Sequence, residues 1–290
     1  MFCCFKQCMA TSPINKNSKI SSNELNSLYF NVNKYNSIGL GSGAVSDVYK
    51  ITVENIPYTC KKFISASSEM IISEIKILKE ISGERLPSFF KNIITLEAEY
   101  ILYKYIPGSD LFNFISKNAG YFGSRPIKIA EIIYEITLGL QELFKYNYIH
   151  LDLKPENIIL SSLRPIKLTL VDLAFCRKLD LINNYGSSGT FGYSSPEVIL
   201  YKRYYHNSDI WSLGVIAYLL FTERSLFPTN DRMGYENDLN KFNSIEDDPL
   251  LENISLDAFN LLNGMLQKTH LHRLSINNVL ENKFIKQINK

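Results

Sequence analysis

The stretch His150-Leu151-Asp152-Leu153-Lys154-Pro155-Glu156-Asn157 places two acids, a lysine and an amide within eight consecutive residues. The carboxylate of Asp152 can orient a hydroxyl group, and the ammonium of Lys154 can neutralise a transferred negative charge. The amide oxygen of Asn157 can bind a metal ion. These groups at this spacing predict a site that handles phosphate.

The same stretch resembles the catalytic loop of protein kinases, H-R-D-L-K-P-E-N, with Leu151 where arginine is usual. Seven of its eight residues agree in order with the family pattern. The resemblance implies that Asp152 is the catalytic base, that Lys154 neutralises the γ-phosphate and that Asn157 is a metal ligand. It also implies ATP and Mg²⁺ as cofactors.

Composition places few limits on the partners of this chain. Its 290 residues are 46% hydrophobic and 21% charged, which suits one large or two small globular domains. Thirty-one basic and 29 acidic side chains leave a net charge of +2, so no global field favours nucleic acid or an anionic membrane. The longest apolar runs fall short of the roughly 18 residues that a membrane span needs, and no transmembrane helix is expected.

The five cysteines are unevenly placed and odd in number. Because no signal peptide precedes them, reduced thiols in a cytoplasmic, intracellular setting are expected. Cys3, Cys4 and Cys8 could be acylated, which would give weak membrane targeting, or could hold a metal ion. A disordered tip is the preferred interpretation of these three residues.

The order of the motifs predicts an α+β protein with a two-lobed, kinase-like fold. Residues 1–30 are rich in Ser, Asn and Lys and are expected to form a flexible extension. By resemblance, residues 31–104 would form a small lobe with an antiparallel sheet and one helix. Residues 105–290 would form a larger, mainly helical lobe, with ATP in the cleft between the two.

A glycine-rich segment lies inside a run of predicted strands. The residues from Gly41 to Val48 fit G-x-G-x-x-G-x-V, with Ser46 at the third glycine. A dinucleotide-binding fingerprint would need a helix directly after the glycines, whereas an alternating, β-branched strand follows here. The segment therefore resembles the kinase glycine-rich hairpin, and the resemblance implies that Gly41, Gly43, Ser46 and Val48 bind the nucleotide.

Lys61 lies on the third predicted strand, in Tyr58-Thr59-Cys60-Lys61, which resembles the family's V-A-I-K. The resemblance implies that it holds the α- and β-phosphates. The next segment, 68–81, has apolar residues at helical spacing and resembles the family's αC helix, where Glu74 would pair with Lys61. Glu69 and Glu80 are competing candidates for that pairing.

A buried strand at 100–105 followed by a Pro-Gly break resembles the hinge between kinase lobes. The resemblance implies that the backbone around Lys104 and Ile106 binds adenine. Tyr103 would be the gatekeeper residue, and Asp110 could reach the ribose. Either Ser109 or Asp110 is expected to cap the helix that follows.

A long apolar-periodic helix is expected at 126–148, and a buried strand that ends in Asp172 is expected after the catalytic loop. Asp172-Leu173-Ala174 stands where the family has D-F-G. The resemblance implies that Asp172 binds Mg²⁺ together with Asn157.

Three further matches have structural roles in the family. Gly189 to Glu197 resembles G-T-x-x-Y-x-A-P-E, and Ser208 to Gly214 matches a helix whose aspartate, Asp209, anchors the catalytic loop. Arg273 resembles the arginine that pairs with the glutamate of A-P-E, here Glu197. His270 and His272 have a metal-ligand spacing, but a loop between helices is the preferred interpretation.

Lys154 and Thr190 resemble the residues of serine/threonine kinases, which implies transfer of phosphate to hydroxyl groups of protein substrates. Leu151 replaces an arginine that makes many catalytic loops respond to a phosphorylated activation loop. Activity is therefore expected not to require a phosphate at Ser187, Ser188 or Thr190. The alternative is a pseudokinase, a nucleotide-binding or scaffold protein, supported by Ser46, Leu151 and the altered D-F-G.

Overall fold

The computed structural model describes residues 20–21, 23–28, 30–34, 37–43, 45–179, 189–229 and 231–289. Contacts between Cα atoms divide the chain into two compact units. The first comprises residues 1–66 and 90–105, and the second comprises residues 67–89 and 106–290. Cys3, Cys4, Cys8, Ser187 and Ser188 lie outside the described residues.

The first unit contains an antiparallel sheet with strand order β1-β2-β3-β5-β4. Its strands are β1 (Ile38–Ser42), β2 (Ser46–Val53), β3 (Ile56–Phe63), β4 (Phe89–Ile94) and β5 (Glu99–Lys104). Glu54 and Asn55 form a two-residue turn between β2 and β3, with φ angles of 50° and 72°. Such left-handed pairs suit the twist of a tight hairpin, so Ile56 and Pro57 already belong to β3.

The described residues between Ile20 and Phe30 pack against the sheet, whereas residues 1–30 were expected to form a flexible extension. Ile20 pairs with Val53 in an isolated bridge, and Ile20, Leu25 and Phe30 are buried in one apolar cluster with residues of the sheet. The Phe30 ring packs edge-on against Tyr100, with 5.1 Å between the ring centroids. Burial of these apolar side chains favours an ordered segment even though Ser and Asn surround them.

The second unit is mainly helical. Its helices are α1 (Ser68–Glu80), α2 (Leu111–Lys117), α3 (Pro126–Phe144), α4 (Pro196–Tyr201), α5 (Ser208–Thr222), α6 (Arg232–Lys241), α7 (Leu256–Met265) and α8 (Ile276–Leu280). Short strands complete it: β6 (Ser109–Asp110), β7 (Tyr148–Ile149), β8 (Ile158–Leu163), β9 (Ile166–Leu170) and β10 (Arg177–Lys178). The antiparallel sheet and the helical unit confirm the predicted α+β class.

The helix α3 ends four residues before the predicted end at Tyr148. Asn147 adopts a φ of 60°, which a continuing helix does not allow, and Tyr148 enters strand β7. The side chain of Tyr148 is buried, so its apolar character fitted a helix and a strand equally well.

The helix α1 was predicted to belong with the sheet, but its contacts group it with the second unit. Glu80, at its end, accepts a hydrogen bond from the Tyr148 hydroxyl at 2.8 Å and pairs with Lys178 at 2.8 Å. Just beyond the helix, Arg85 pairs with Glu135 and Glu142 on α3. Glu80 therefore holds the start of the segment that follows α1 against strands β7 and β10. Arg85 holds the same segment against α3.

Across the described part of the chain, no helix is both long enough and apolar enough to cross a membrane.

Candidate active site

The catalytic-loop stretch connects β7 to β8, and its backbone is hydrogen-bonded by Asp209 in the first turn of α5. The carboxylate of Asp209 accepts hydrogen bonds from the main-chain N–H groups of His150 (2.7 Å) and Leu151 (2.8 Å). Burial raises the pKa of Asp209, although the charge of His150 and these two donors act in the opposite direction. The predicted anchoring of the loop by this aspartate is confirmed.

Leu151 has a left-handed backbone, with φ of 63°. Its side chain is buried and packs in an apolar cluster with Ile149, Val198 and Tyr204. The position that holds arginine in many kinases is therefore an apolar contact between the catalytic loop and α4 in this protein.

Asp152, Lys154 and Thr190 form a closed triangle of polar contacts. The Thr190 hydroxyl donates to Asp152 Oδ1 at 2.6 Å and accepts from Lys154 Nζ at 2.7 Å. Lys154 Nζ also lies 3.1 Å from Asp152 Oδ2. Asp152 is 3% exposed, so water screens these charges little and the contacts between them are strengthened.

Asn157 is buried beside this triangle. Its amide nitrogen donates to the main-chain oxygen of Asp152 at 2.8 Å and to Asp152 Oδ2 at 3.1 Å. Because the nitrogen faces Asp152, the amide oxygen remains available as a ligand. None of the described residues hydrogen-bonds that oxygen.

Asp172 lies two residues beyond the end of β9 instead of at the end of the strand as predicted. It adopts a φ of 61°. Its neighbour Val171 donates its main-chain N–H to Asn157 O at 2.9 Å, and Val171 O lies 3.2 Å from His150 Nε2. The backbone that carries Asp172 is thus tied to both ends of the catalytic-loop stretch.

Gly189 allows the Thr190 segment to approach the catalytic loop closely. It has a φ of 93°, and a Cβ atom there would lie 2.4 Å from Leu151 O and 2.3 Å from Ser194 Oγ. Ser194 Oγ donates to Thr190 O at 3.1 Å, and Tyr235 donates to Ser194 O at 2.6 Å. Only glycine fits this position without displacing one of the two segments.

Glu197 and Arg273 form the predicted buried pair. The two guanidinium nitrogens lie 2.6 Å and 2.8 Å from the two carboxylate oxygens, and Ser208 donates to Glu197 Oε1 at 2.8 Å. Burial acts to raise the pKa of Glu197, but the hydrogen bonds and charge of Arg273 outweigh it and lower the pKa. This pair ties α4 to α5 and to the loop before α8.

In the first unit, the glycine-rich segment forms the hairpin of β1 and β2. Gly43 N–H donates to Ser46 O at 2.9 Å. A Cβ atom at Gly41 would meet no atom within 4 Å, so the protein's own packing does not require a glycine there. Ser46 is buried and Val48 lies opposite Lys61 in the β2–β3 register.

Lys61 is 4% exposed on the central strand β3, unlike an ordinary solvated lysine. Its ammonium lies 5.4 Å from the centre of the Phe63 ring. Glu74 is 2% exposed on the buried stripe of α1, whereas the competing candidates Glu69 and Glu80 are exposed. Lys61 and Glu74 belong to different units, and their pairing stays a prediction.

The residues predicted to form the hinge lie where β5 ends. Lys104 is the last residue of that strand and is exposed, and Ile106 lies two residues further along the chain. Asp110, and not Ser109, caps α2: its carboxylate accepts from the Asn113 N–H at 2.8 Å and from the Asn113 side chain at 2.6 Å. Contact of Asp110 with a ribose would compete with these bonds, and this role stays a prediction.

The sequence indicated Thr190 as a sign of substrate class and as a candidate phosphorylation site, but not its position between Asp152 and Lys154. The signal available was the pair Gly189-Thr190, since a glycine next to a hydroxyl residue permits close approach to another segment. The apolar environment of Leu151 was also missed, because Val198 and Tyr204 are distant in sequence.

Comparison with known proteins agrees with this arrangement. A profile of the protein kinase domain matches residues 35–285. The chain therefore belongs to the protein kinase family.

The curated relatives that the chain matches include proteins named as serine/threonine kinases. Serine/threonine-protein kinase ULK3 of Rattus norvegicus is 30% identical over 246 residues, covering 81% of this chain and 51% of the relative. Serine/threonine-protein kinase ATG1a of Arabidopsis thaliana is 28% identical over 270 residues, covering 86% and 41%. Myosin light chain kinase 2 of Mus musculus is 26% identical over 232 residues, covering 79% and 37%. The chain thus spans about half, or less, of the length of these relatives.

Proposed function

We propose that this chain transfers the γ-phosphoryl group of ATP to serine or threonine hydroxyl groups of protein substrates, with Asp152 as the catalytic base. The observation that carries the proposal is the Thr190 hydroxyl, which donates to Asp152 Oδ1 at 2.6 Å and accepts from Lys154 Nζ at 2.7 Å. A hydroxyl group in this place supports the proposal, because the carboxylate accepts its hydrogen bond while the ammonium lies beside the oxygen.

The different contacts of the two carboxylate oxygens support the proposed role of Asp152. Oδ1 faces a hydroxyl, whereas Oδ2 is held by Asn157 and Lys154. A carboxylate fixed in this way needs little reorganisation to orient the attacking hydroxyl of a substrate. Lys154, with its ammonium close to Asp152, would stabilise the charge of the phosphoryl group in transit.

Asn157 and Asp172 are the proposed Mg²⁺ ligands. Both present oxygen atoms, which suit a hard cation, and the Val171–Asn157 main-chain bond holds their backbones together. In the described residues, no group of three or more His, Cys, Asp or Glu side chains could hold a metal by itself. Mg²⁺ held by Asn157 and Asp172 would be completed by phosphate oxygens of ATP, whose charge it would neutralise.

The proposed ATP contacts of the first unit are Gly41, Gly43, Ser46, Val48 and Lys61. The open space at Gly41 supports this assignment, since backbone N–H groups without side chains can approach a phosphate. Burial of Lys61 supports a role for its charge other than solvation, and Glu74 is its proposed partner. Lys104 and Ile106 are proposed to bind adenine through main-chain atoms, and Asp110 is the proposed contact of the ribose.

The test compares the wild-type protein with Asp152→Asn, using Mg²⁺, labelled ATP and a generic basic protein substrate. We expect Asp152→Asn to lower label transfer by about 10²- to 10⁴-fold, the usual contribution of a general base. Binding of ATP, measured separately, should be retained. Equal transfer by both proteins, or by neither, would count against catalysis and favour a pseudokinase.

Regulation is a separate part of the proposal. Since Leu151 replaces arginine, we propose that activity does not depend on a phosphate at Ser187, Ser188 or Thr190. A Ser187→Ala and Ser188→Ala double variant should keep its activity. If transfer is abolished while ATP binding is retained, this part of the proposal is overturned.

A further inference from the structure

The second unit has a surface cavity of about 550 Å³, beside α4 and away from the groups assigned to phosphoryl transfer. Its walls come from α4, the connection from α4 to α5, and the loop after α7. This volume is within the range of sites that bind small ligands or a few side chains of a partner. We call it the α4 cavity.

The charges that line the α4 cavity are mainly positive. Arg203 and Lys268 contribute two cations, and Glu197 is the acid of the lining. Both oxygens of Glu197 are already bound by Arg273, and Oε1 also accepts from Ser208. The carboxylate is therefore neutralised and has little capacity to attract a cation, so the cavity favours an anion.

Arg203 and Lys268 differ in how they are held. Lys268 Nζ donates to the main-chain oxygens of Asn240 (3.1 Å) and Phe242 (3.3 Å), which fixes its position. Arg203 is exposed, and none of the described residues accepts a hydrogen bond from its guanidinium. A guanidinium with free donors matches the two oxygens of a carboxylate in a planar, bidentate contact.

The remaining walls are aromatic and apolar. The rings of Tyr205 and His270 stack with 3.6 Å between centroids and 8° between planes. Leu200 adds an aliphatic surface, and the Tyr201 side chain is 69% exposed at the rim. A ligand with both a carboxylate and an apolar group would use both kinds of surface, and a peptide that mixes acidic and apolar residues has this composition.

We propose that the α4 cavity binds an acidic segment of the protein substrate, with a substrate carboxylate on Arg203. That the bound segment belongs to a substrate rests on the proposed function, whereas the existence of the binding site does not. Pro196 at the cavity lies six residues after Thr190 (196 − 190). Six residues span at most roughly 20 Å, so Thr190 lies within that distance of Pro196. One extended substrate segment can therefore reach from the cavity to Thr190.

Binding is tested on the full chain without ATP, by fluorescence polarisation of a labelled peptide Glu-Glu-Leu-Glu-Glu. We expect Arg203→Glu to weaken its binding by about tenfold or more. Arg224→Glu is the matched control, because Arg224 is also exposed and the net charge changes equally; it should leave binding unchanged. Thermal midpoints check that both variants fold.

Three results would overturn the site: equal loss in both variants, equal binding of Gln-Gln-Leu-Gln-Gln, or displacement by inorganic phosphate as efficient as by unlabelled acidic peptide. The last result would assign the cavity to a free anion. Each of these three results would mean that Arg203 makes no specific contact with a peptide carboxylate.

A kinetic measurement separates this inference from the proposed function. A serine-containing acceptor peptide is compared with the same peptide extended by the acidic segment. We expect Arg203→Glu to raise KM for the extended peptide by about tenfold, with kcat and the short peptide unaffected. Phosphorylation of both peptides with equal KM in wild type and variant would overturn the docking role and leave the proposed function intact. Peptide binding without transfer to either substrate would overturn the proposed function and leave the site.

Discussion

At the scale of single residues, Leu151 combines a left-handed backbone with an apolar side-chain environment. Its φ of 63° turns the chain toward Asp152, while its side chain joins Ile149, Val198 and Tyr204. The sequence marked this residue as a departure from a pattern. The structure adds that an arginine here would place a charge in an apolar cluster.

We expect Leu151→Arg to destabilise the protein by about 3 kcal/mol, because a buried charge without a partner is costly. Chemical denaturation measures the change. Leu151→Met keeps an apolar side chain of similar volume and should cost less than about 1.5 kcal/mol. Equal stability of the two variants would show that the cluster tolerates a charge.

Gly189 gives a second prediction for a single residue. Alanine at either Gly189 or Gly192 would adopt a positive φ (93° or 94°), which costs about 1–2 kcal/mol. At Gly189 the new Cβ would also meet Leu151 O at 2.4 Å, whereas at Gly192 the nearest atom is Phe227 O at 3.4 Å. We therefore expect Gly189→Ala to lower kcat by roughly a hundredfold through displacement of the catalytic loop.

Gly192→Ala is the control for backbone strain and should keep kcat near that of wild type. Steady-state kinetics on one peptide substrate measures both variants. Similar kcat values for the two would mean that the close approach at Gly189 does not position the loop.

At the scale of secondary-structure elements, buried or partly buried polar contacts connect several helices to neighbouring loops. Asp209 joins α5 to the catalytic loop, and Arg85 joins the segment after α1 to α3. Glu197 and Arg273 connect α4 to the loop before α8. Apolar periodicity predicted α1 to within one residue at its end, whereas the predicted end of α3 was four residues too late.

The Glu197–Arg273 pair predicts a pH dependence of stability. The pKa of Glu197 is lowered from its ordinary value of 4.5. Its contribution is therefore complete above that ordinary value and is lost as the pH falls through the lowered, folded-state pKa. We expect Glu197→Gln to cost about 3–5 kcal/mol at neutral pH and to lose less stability than wild type on acidification to about pH 3.

Chemical denaturation across this pH range checks the prediction. Glu236→Gln is the control, because the Arg232–Glu236 pair is half exposed and should contribute no more than about 0.5 kcal/mol. An acid dependence of stability in Glu197→Gln as steep as in wild type would contradict the assignment to Glu197.

At the scale of the whole molecule, the first unit begins earlier than sequence composition indicated. Leu25 is 2% exposed within the core cluster, whereas Leu28, three residues later, is 59% exposed. We expect Leu25→Ala to destabilise the protein by about 2–4 kcal/mol. Thermal and chemical unfolding measure the loss.

Leu28→Ala removes the same atoms from an exposed position in the same segment. It should change the free energy of unfolding by less than about 0.5 kcal/mol. Equal effects of the two substitutions would support the flexible extension that the composition of residues 1–30 suggested.

The sequence by itself determined the family, the α+β class and the identity of the candidate catalytic groups. It did so because the residues of the catalytic loop are neighbours in the chain, so their order alone specifies which chemical groups come together. Apolar periodicity similarly identified α1 and α3, since the apolar face of a helix repeats at residues three and four positions apart.

Only the tertiary structure decided which hydroxyl lies on Asp152, what surrounds Leu151, and which residues before Asn31 join the core. The Thr190–Asp152 contact joins residues 38 positions apart, and Ile20 pairs with Val53 across a similar distance in sequence. Contacts of this kind depend on how separate elements pack, and side-chain burial can order a segment whose composition alone favours disorder.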